Sequence, residues 1–167
     1  MNRHYDRYLT TKYAPLYRDR FAPMHRTAMC WGFSVGDGWF DIINTLSRYL
    51  CRDWLEAQRE YQLASDRLGQ LLYDGTPSKY NYVVTQEHVD QARVVIETES
   101  EKVPVVSQVK EKFGTLRFHT HGATDQQQAY IDFAEGMSGK TCEVCGARGR
   151  NRGWGWVTTR CQEHADA

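Results

Sequence analysis

No run of eighteen consecutive apolar residues occurs in the 167-residue sequence, so no membrane-spanning helix is expected. An excess of either charge is missing as well: lysine plus arginine and aspartate plus glutamate both number 21, and the isoelectric point falls near 7.0. A neutral chain lacks the field that draws proteins non-specifically to nucleic acid or anionic membrane, although a local basic patch stays open to it. Asn2, Arg3, His4, Asp6 and Arg7 leave no apolar run near the start, so a secretory leader is not expected. The Walker phosphate loop and H-E-x-x-H are absent. Without them no nucleophile–base–acid set can be read, and catalysis is not the leading expectation. Internal repeats and low-complexity tracts are absent too, and the length suits one domain with a small appendage.

What is present concentrates in the last quarter, where Cys142, Cys145, Cys161 and His164 form C-x2-C-x15-C-x2-H. Two thiolates at that spacing can turn back on one cation, and a Cys/His pair at the same spacing completes a tetrahedron of soft ligands. Zinc in structural sites takes that donor set, and with all four positions filled by protein the ion is a staple rather than a catalyst. A set of nearby cysteines or a disulfide is the competing reading. Gly146 suits the turn after the first pair because it has no Cβ. The remaining cysteines, Cys30 and Cys51, lie among apolar residues and read as small core side chains. Free thiols beside a metal set point to a reducing compartment, the cytoplasm.

Tyr5, Tyr8, Tyr13, Tyr17 and Phe21 recur at helical intervals, interrupted at Pro15 and Pro23. Gly36-Asp37-Gly38 reads as a turn into a helix with Asp37 as a cap, or more weakly as an anion-binding turn. Trp39, Ile43, Leu46, Leu50 and Trp54 carry a helical stripe onward, with a break expected near Arg52-Asp53 or between Gln58 and Gln62. Asp74-Gly75-Thr76-Pro77-Ser78 ends the run and reads as a mobile loop. A short extended piece around Tyr80 to Val84 follows. Thr85 then caps a helix expected to turn Val89, Ala92, Val95 and Ile96 inward. Two strands, Val103 to Val109 and Thr115 to Thr120, form a hairpin joined through Lys110-Glu111-Lys112-Phe113-Gly114. A last helix opens at Thr124 or Asp125 with Ala129, Tyr130, Phe133 and Met137 on one side.

Two constellations could carry chemistry. Alternation in the second hairpin strand sets Arg117, His119 and His121 opposite Leu116, Phe118 and Thr120, with Lys110 and Lys112 near the polar face. Such a face suits a phosphate or carboxylate, and a solvated strand face is the plainer reading; His119-x-His121 offers metal ligands but no third partner. Inside the Cys/His segment, Arg148, Arg150 and Arg152 alternate with small residues, and Trp154 and Trp156 follow. Guanidinium forks and indole faces suit phosphates and bases, and they equally suit a soluble, docked loop.

Met29-Cys30-Trp31-Gly32-Phe33, Gly36-Asp37-Gly38-Trp39, Val109 to Gly114 with Leu116-Arg117-Phe118, and the Cys/His set together resemble a group of small proteins encoded by bacteriophages and prophages. The resemblance supplies no catalytic residues. It implies an accessory protein of the host cytoplasm, a class that includes non-enzymatic inhibitors and sponges for nucleotide immune signals.

The expected fold is α+β: a helical body (1–140) with a central antiparallel hairpin or small sheet, and a zinc knuckle (141–167) packed on it. The expected function is binding, without transformation, of a phosphate-bearing small molecule through Arg148, Arg150, Arg152, Lys110, Lys112, Arg117 and His119, with Trp154 or Trp156 as a stacking surface. The alternatives are a nucleic-acid module, a protein–protein inhibitor of a host factor, and a hydrolase built on His119, His121 and Asp37. Homo-oligomerisation is left open, and no membrane partner is expected.

Overall fold

The computed structural model describes residues 1–72, 82–153 and 155–165. The expected loop at Asp74 to Ser78, the first two residues of the extended piece before Thr85 (Tyr80 and Asn81) and the contact residue Trp154 lie outside the described residues. The fold is α+β, as expected, with five α-helices and short sheets among the described residues, which form two compact units.

The first unit comprises Met1–Cys51 with Val103–Ala167. Helix α1 (Arg3–Lys12) starts at Asn2, whose side chain accepts from the amides of His4 and Tyr5. The helix stops before Pro15, and Tyr13, Leu16 and Tyr17 continue into the core. There Tyr17 shares a 2.7 Å hydrogen bond with the buried Ser47 hydroxyl, which in turn donates to the Ile43 carbonyl. Burial raises the Tyr17 phenol well above its ordinary range, so it stays a neutral donor.

A short strand β1 (Phe33–Ser34) precedes helix α2 (Phe40–Leu50). Strand β1 pairs in parallel with β4 (Val105–Lys112), and β4 pairs antiparallel with β5 (Thr115–His121). The hairpin stands where the sequence places it, but its strands run farther. Lys110, Glu111 and Lys112 are strand residues, and only Phe113-Gly114 turns the chain. Both turn residues have positive φ, 56° and 76°, as a two-residue hairpin demands. For a phenylalanine that conformation costs about 1 kcal/mol.

Helix α5 (Asp125–Ser138) opens with a full capping box between Thr124 and Gln127. Its inward face is Ile131, Ala134 and Ser138, and the stripe of Ala129, Tyr130, Phe133 and Met137 seen in the sequence lies on another side, with Phe133 71% exposed. Two apolar stripes run along this helix, and the sheet takes the one ending in Ser138. The Ser138 hydroxyl sits 2.8 Å from the Leu116 amide, and the Glu135 carboxylate accepts from the Phe118 amide at 2.8 Å, which covers the outer edge of β5. The other stripe lines an apolar groove of about 690 Å³ with Ile42, Thr45, Leu46 and Tyr49 of α2.

The second unit, Arg52–Lys102, holds helix α3 (Arg52–Asp66), a β2 (Leu71–Leu72) and β3 (Tyr82–Val83) pair, and helix α4 (Gln86–Lys102). The helical run breaks at Cys51, and α3 passes unbroken through Gln58 to Gln62. Val89 of α4 is buried as expected, whereas Val95 is exposed.

Cys51 is fully buried, and burial pushes its thiol up to about 12. Iodoacetamide at neutral pH should therefore modify the partly exposed Cys30 in the folded protein and leave Cys51 untouched until unfolding, as read by peptide mass spectrometry. Equal labelling of the two would contradict the packing around Cys51.

Candidate metal centre and its basic hairpin

Cys142, Cys145, Cys161 and His164 converge, with all ligand atoms within 4.8 Å of one another. The Sγ atoms of Cys145 and Cys161 are 3.8 Å apart, and His164 Nδ1 lies 3.1 Å from Cys161 Sγ and 3.8 Å from Cys142 Sγ. All five cysteines are free thiols, so the disulfide reading does not hold. The tetrad can hold a metal ion, and among the described residues it is the one Cys/His/carboxylate group that can. His119 and His121 are exposed strand residues that join no such group.

Local geometry explains the convergence. Gly146, at φ 78°, closes the turn after the first pair, and its amide reaches back to the Cys142 carbonyl at 2.9 Å. Burial opposes ionisation of Cys142, but hydrogen bonds from the Cys161, Cys145 and Val144 backbone prevail and bring its thiol down to about 6. Thiolate is the form that binds a cation. At the other end, β6 (Arg150–Arg152) and β7 (Thr158–Arg160) form an antiparallel ladder that delivers Cys161.

Gly36-Asp37-Gly38, read from sequence as a cap or anion turn, is the bed on which this segment lies. The Gly36 amide donates to the Glu143 carboxylate and the Gly38 amide to the Glu143 carbonyl, each at 2.8 Å. Asp37 caps nothing; its carboxylate accepts from the backbone and side chain of Asn2, both at 2.7 Å. The buried Trp39 indole donates to the Thr141 carbonyl at 2.8 Å. These donors are filled by protein, which removes the anion-binding reading of the turn.

The expected ligand residues separate into three places. Lys110 and Arg117 are cross-strand partners on β4 and β5, with His119 opposite Gln108 on the same face. Arg117 is committed: its guanidinium donates to Thr115 Oγ1 and the Leu116 carbonyl and pairs with Glu135 at 3.5 Å. Lys112 instead lies at the hairpin tip, where Glu111, Lys112 and Phe113 face Gly155, Trp156 and Val157 across a cleft of about 230 Å³. The tip is fastened to the metal segment by the buried Thr159 hydroxyl, which donates to the Gly114 carbonyl.

Arg150, Arg152 and Arg160 form the third group. Register sets Arg150 directly opposite Arg160 and Arg152 opposite Thr158, so these residues share a face, and Arg148 precedes them at the same two-residue interval. Asn151 and Thr159 occupy the other face, toward Gly114. None of the four arginines forms an ion pair with a described carboxylate. Arg152 donates to the Arg160 carbonyl and to Gln162, while Arg160 Nε is enclosed without an acceptor. Sequence reading omitted Arg160 from the candidate ligand residues, because its partnership with Arg150 is a matter of register. It omitted Phe113 because strand length was underestimated.

No helix among the described residues is long and apolar enough to cross a membrane. Comparison with protein-family models, with curated proteins and with solved structures yields no match.

Proposed function

We propose that this chain is a zinc-stapled accessory protein of the bacteriophage kind its sequence resembles, and that it holds a phosphate-bearing small molecule, a nucleotide signal of the host, without transforming it. The observation that supports this most is the uncompensated arginine face. Like charges directly opposite across a ladder repel, yet Arg150 and Arg160 sit so, with Arg152 beside them and no described carboxylate in reach. A phosphate group relieves that repulsion and offers acceptors to guanidinium forks. The enclosed Arg160 Nε, a donor lacking an acceptor, points the same way.

Zinc is the ion we assign to the tetrad. A tetrahedron of sulfurs at the usual zinc distance of about 2.3 Å has an edge of about 3.8 Å. That edge equals the Cys145–Cys161 separation, and the 3.8 and 3.1 Å distances from His164 Nδ1 to Cys142 and Cys161 lie on either side of the edge of about 3.5 Å expected between a sulfur and a nitrogen ligand. Three thiolates and an imidazole favour zinc over hard cations such as magnesium or calcium, which prefer oxygen. With four protein ligands the ion's part is structural: it fixes the base of the β6–β7 ladder.

The test is binding of a fluorescent nucleoside triphosphate to the zinc-loaded full chain. Arg150→Ala and Arg160→Ala are each expected to weaken binding by about tenfold, the worth of one charged hydrogen-bonded contact. The ligand should be recovered chemically unchanged. Wild-type affinity in both variants would overturn the arginine assignment. Preference for single-stranded nucleic acid with a steep salt slope would replace the small-molecule reading with the nucleic-acid one.

A further inference from the structure

The cleft between the hairpin tip and the metal segment is bounded by two large rings that the protein leaves in solvent. Phe113 is 67% exposed and Trp156 is 79% exposed, and they come from the β4–β5 turn and the loop joining β6 to β7. Exposed aromatic side chains are common singly, but a pair on two elements facing one cavity is a different observation. Phe113 also holds a conformation that its side chain disfavours, φ 56° at the first position of a two-residue turn where asparagine or glycine is the ordinary occupant. A residue kept at a conformational cost with its ring in water gains nothing for the fold. Such outliers cluster where a ligand is held. Lys112 Nζ stands 5.3 Å from the Phe113 ring, so a cation accompanies the aromatic pair.

We infer that Phe113 and Trp156 form a clamp that takes one planar heteroaromatic ring, a nucleobase, by stacking. At about 230 Å³ the cavity lies below the 300–1,000 Å³ range of sites that enclose whole drug-sized molecules. It holds one ring system and leaves the sugar and phosphates outside. Lys112 is on its rim, and Arg152 and Thr158 end the ladder from which the Trp156 loop departs, so phosphates leaving the clamp meet positive charge. Base stacking on an aromatic side chain tolerates every base, because each has a π face. The clamp therefore selects for the presence of a base and only weakly for its identity. Glu111 also lines the cleft, and its carboxylate is engaged there by accepting from the Gly114 amide at 2.6 Å.

This inference deepens the preceding proposal by naming the other half of the ligand, and the two can fail separately. The experiment uses the metal-loaded full chain, uncharged adenosine and guanosine as probes of the clamp, and inorganic triphosphate as the probe of the arginine face. Nucleosides are expected to shift the Trp156 indole N–H resonance. The decisive variant is Phe113→Asn. Asparagine tolerates positive φ, so this variant should melt at or above the wild-type temperature while losing nucleoside affinity by about tenfold, the worth of one stack. Trp156→Ala should lose as much, and triphosphate binding should be unchanged in both. No movement of the Trp156 resonance with nucleoside, or wild-type nucleoside affinity in Phe113→Asn, overturns the clamp. Nucleoside binding without triphosphate binding would support the clamp and overturn the arginine-face reading instead.

Discussion

Stripping the ion with a strong chelator is expected to unfold the segment from Thr141 to His164 and to lower the melting temperature of the first unit. The size of the effect follows from what the segment otherwise has. The β6–β7 ladder is three residue pairs long, and among the described residues of the segment only Cys142 and Cys161, with the polar Glu143 and Thr159, are buried. A ladder that short is not stable alone in water. Zinc bound to a Cys/His tetrad contributes about 10 kcal/mol or more of apparent free energy at neutral pH, several times what the docking hydrogen bonds supply. Cys142→Ser should reproduce the loss. Readouts are the metal content per chain, the melting temperature, and faster amide exchange at Gly146 and Thr159. The Cys142 contribution to the pH dependence has a definite sign, opposite to that of Cys145, whose thiol is raised beside it. Without metal, the Cys142 thiol titrates at about 6 in the folded chain against an ordinary value of 9.0. A depressed folded pKa contributes stability that is complete above pH 9 and lost as pH falls through 6. Bound metal extends the loss to lower pH, because the ion competes with protons for the same thiolates. Metal-free protein that melts like the loaded form, with the same amide exchange, would overturn the staple.

The legible parts of this chain are those whose physics is local. The tetrad could be read from spacing alone, since two residues between ligands fix the turn whatever surrounds it. The start of α5 was legible for the same reason, because Thr124 and Gln127 satisfy each other's backbone within one turn. What the sequence hid depends on partners far away. Gly36 meets Glu143 across 107 residues, so a turn that looks like a cap or an anion cradle is a docking bed. Which face of α5 turns inward was not legible, because Tyr130, Phe133 and Met137 recur as regularly as Ile131, Ala134 and Ser138. Only the polar edge of β5, which needs Glu135 and Ser138, decides between them. The opposed arginines are visible only once register places Arg150 on Arg160. The strand β1 escaped notice because two residues carry no periodicity.

Gly38→Ala is expected to be the most damaging single-methyl addition in the protein, and it tests the docking bed directly. A Cβ on Gly38 would lie 2.2 Å from the Cys142 carbonyl oxygen, 2.5 Å from the Gly146 amide nitrogen and 2.6 Å from that of Cys145. All three obstacles are backbone atoms of the metal turn, so no side chain can swing aside. Either the turn lifts from its bed, breaking the hydrogen bond from the Gly38 amide to Glu143 and straining the ligand geometry, or the 36–38 segment moves and pulls on the Trp39 indole bond to Thr141. Overpacking of this kind costs about 3 kcal/mol. Part of that cost should appear as weaker metal binding, because Cys142 and Cys145 flank the clash. Gly136→Ala is the matched control: Gly136 lies within α5 with nothing within 4 Å of an added Cβ. There the methyl group should raise stability by about 0.5–1 kcal/mol, since alanine is the better helix former. Chemical denaturation of both variants, with competition for zinc against a chromogenic chelator, separates the outcomes. Gly38→Ala with wild-type stability and metal affinity would mean that the metal turn does not rest on this glycine.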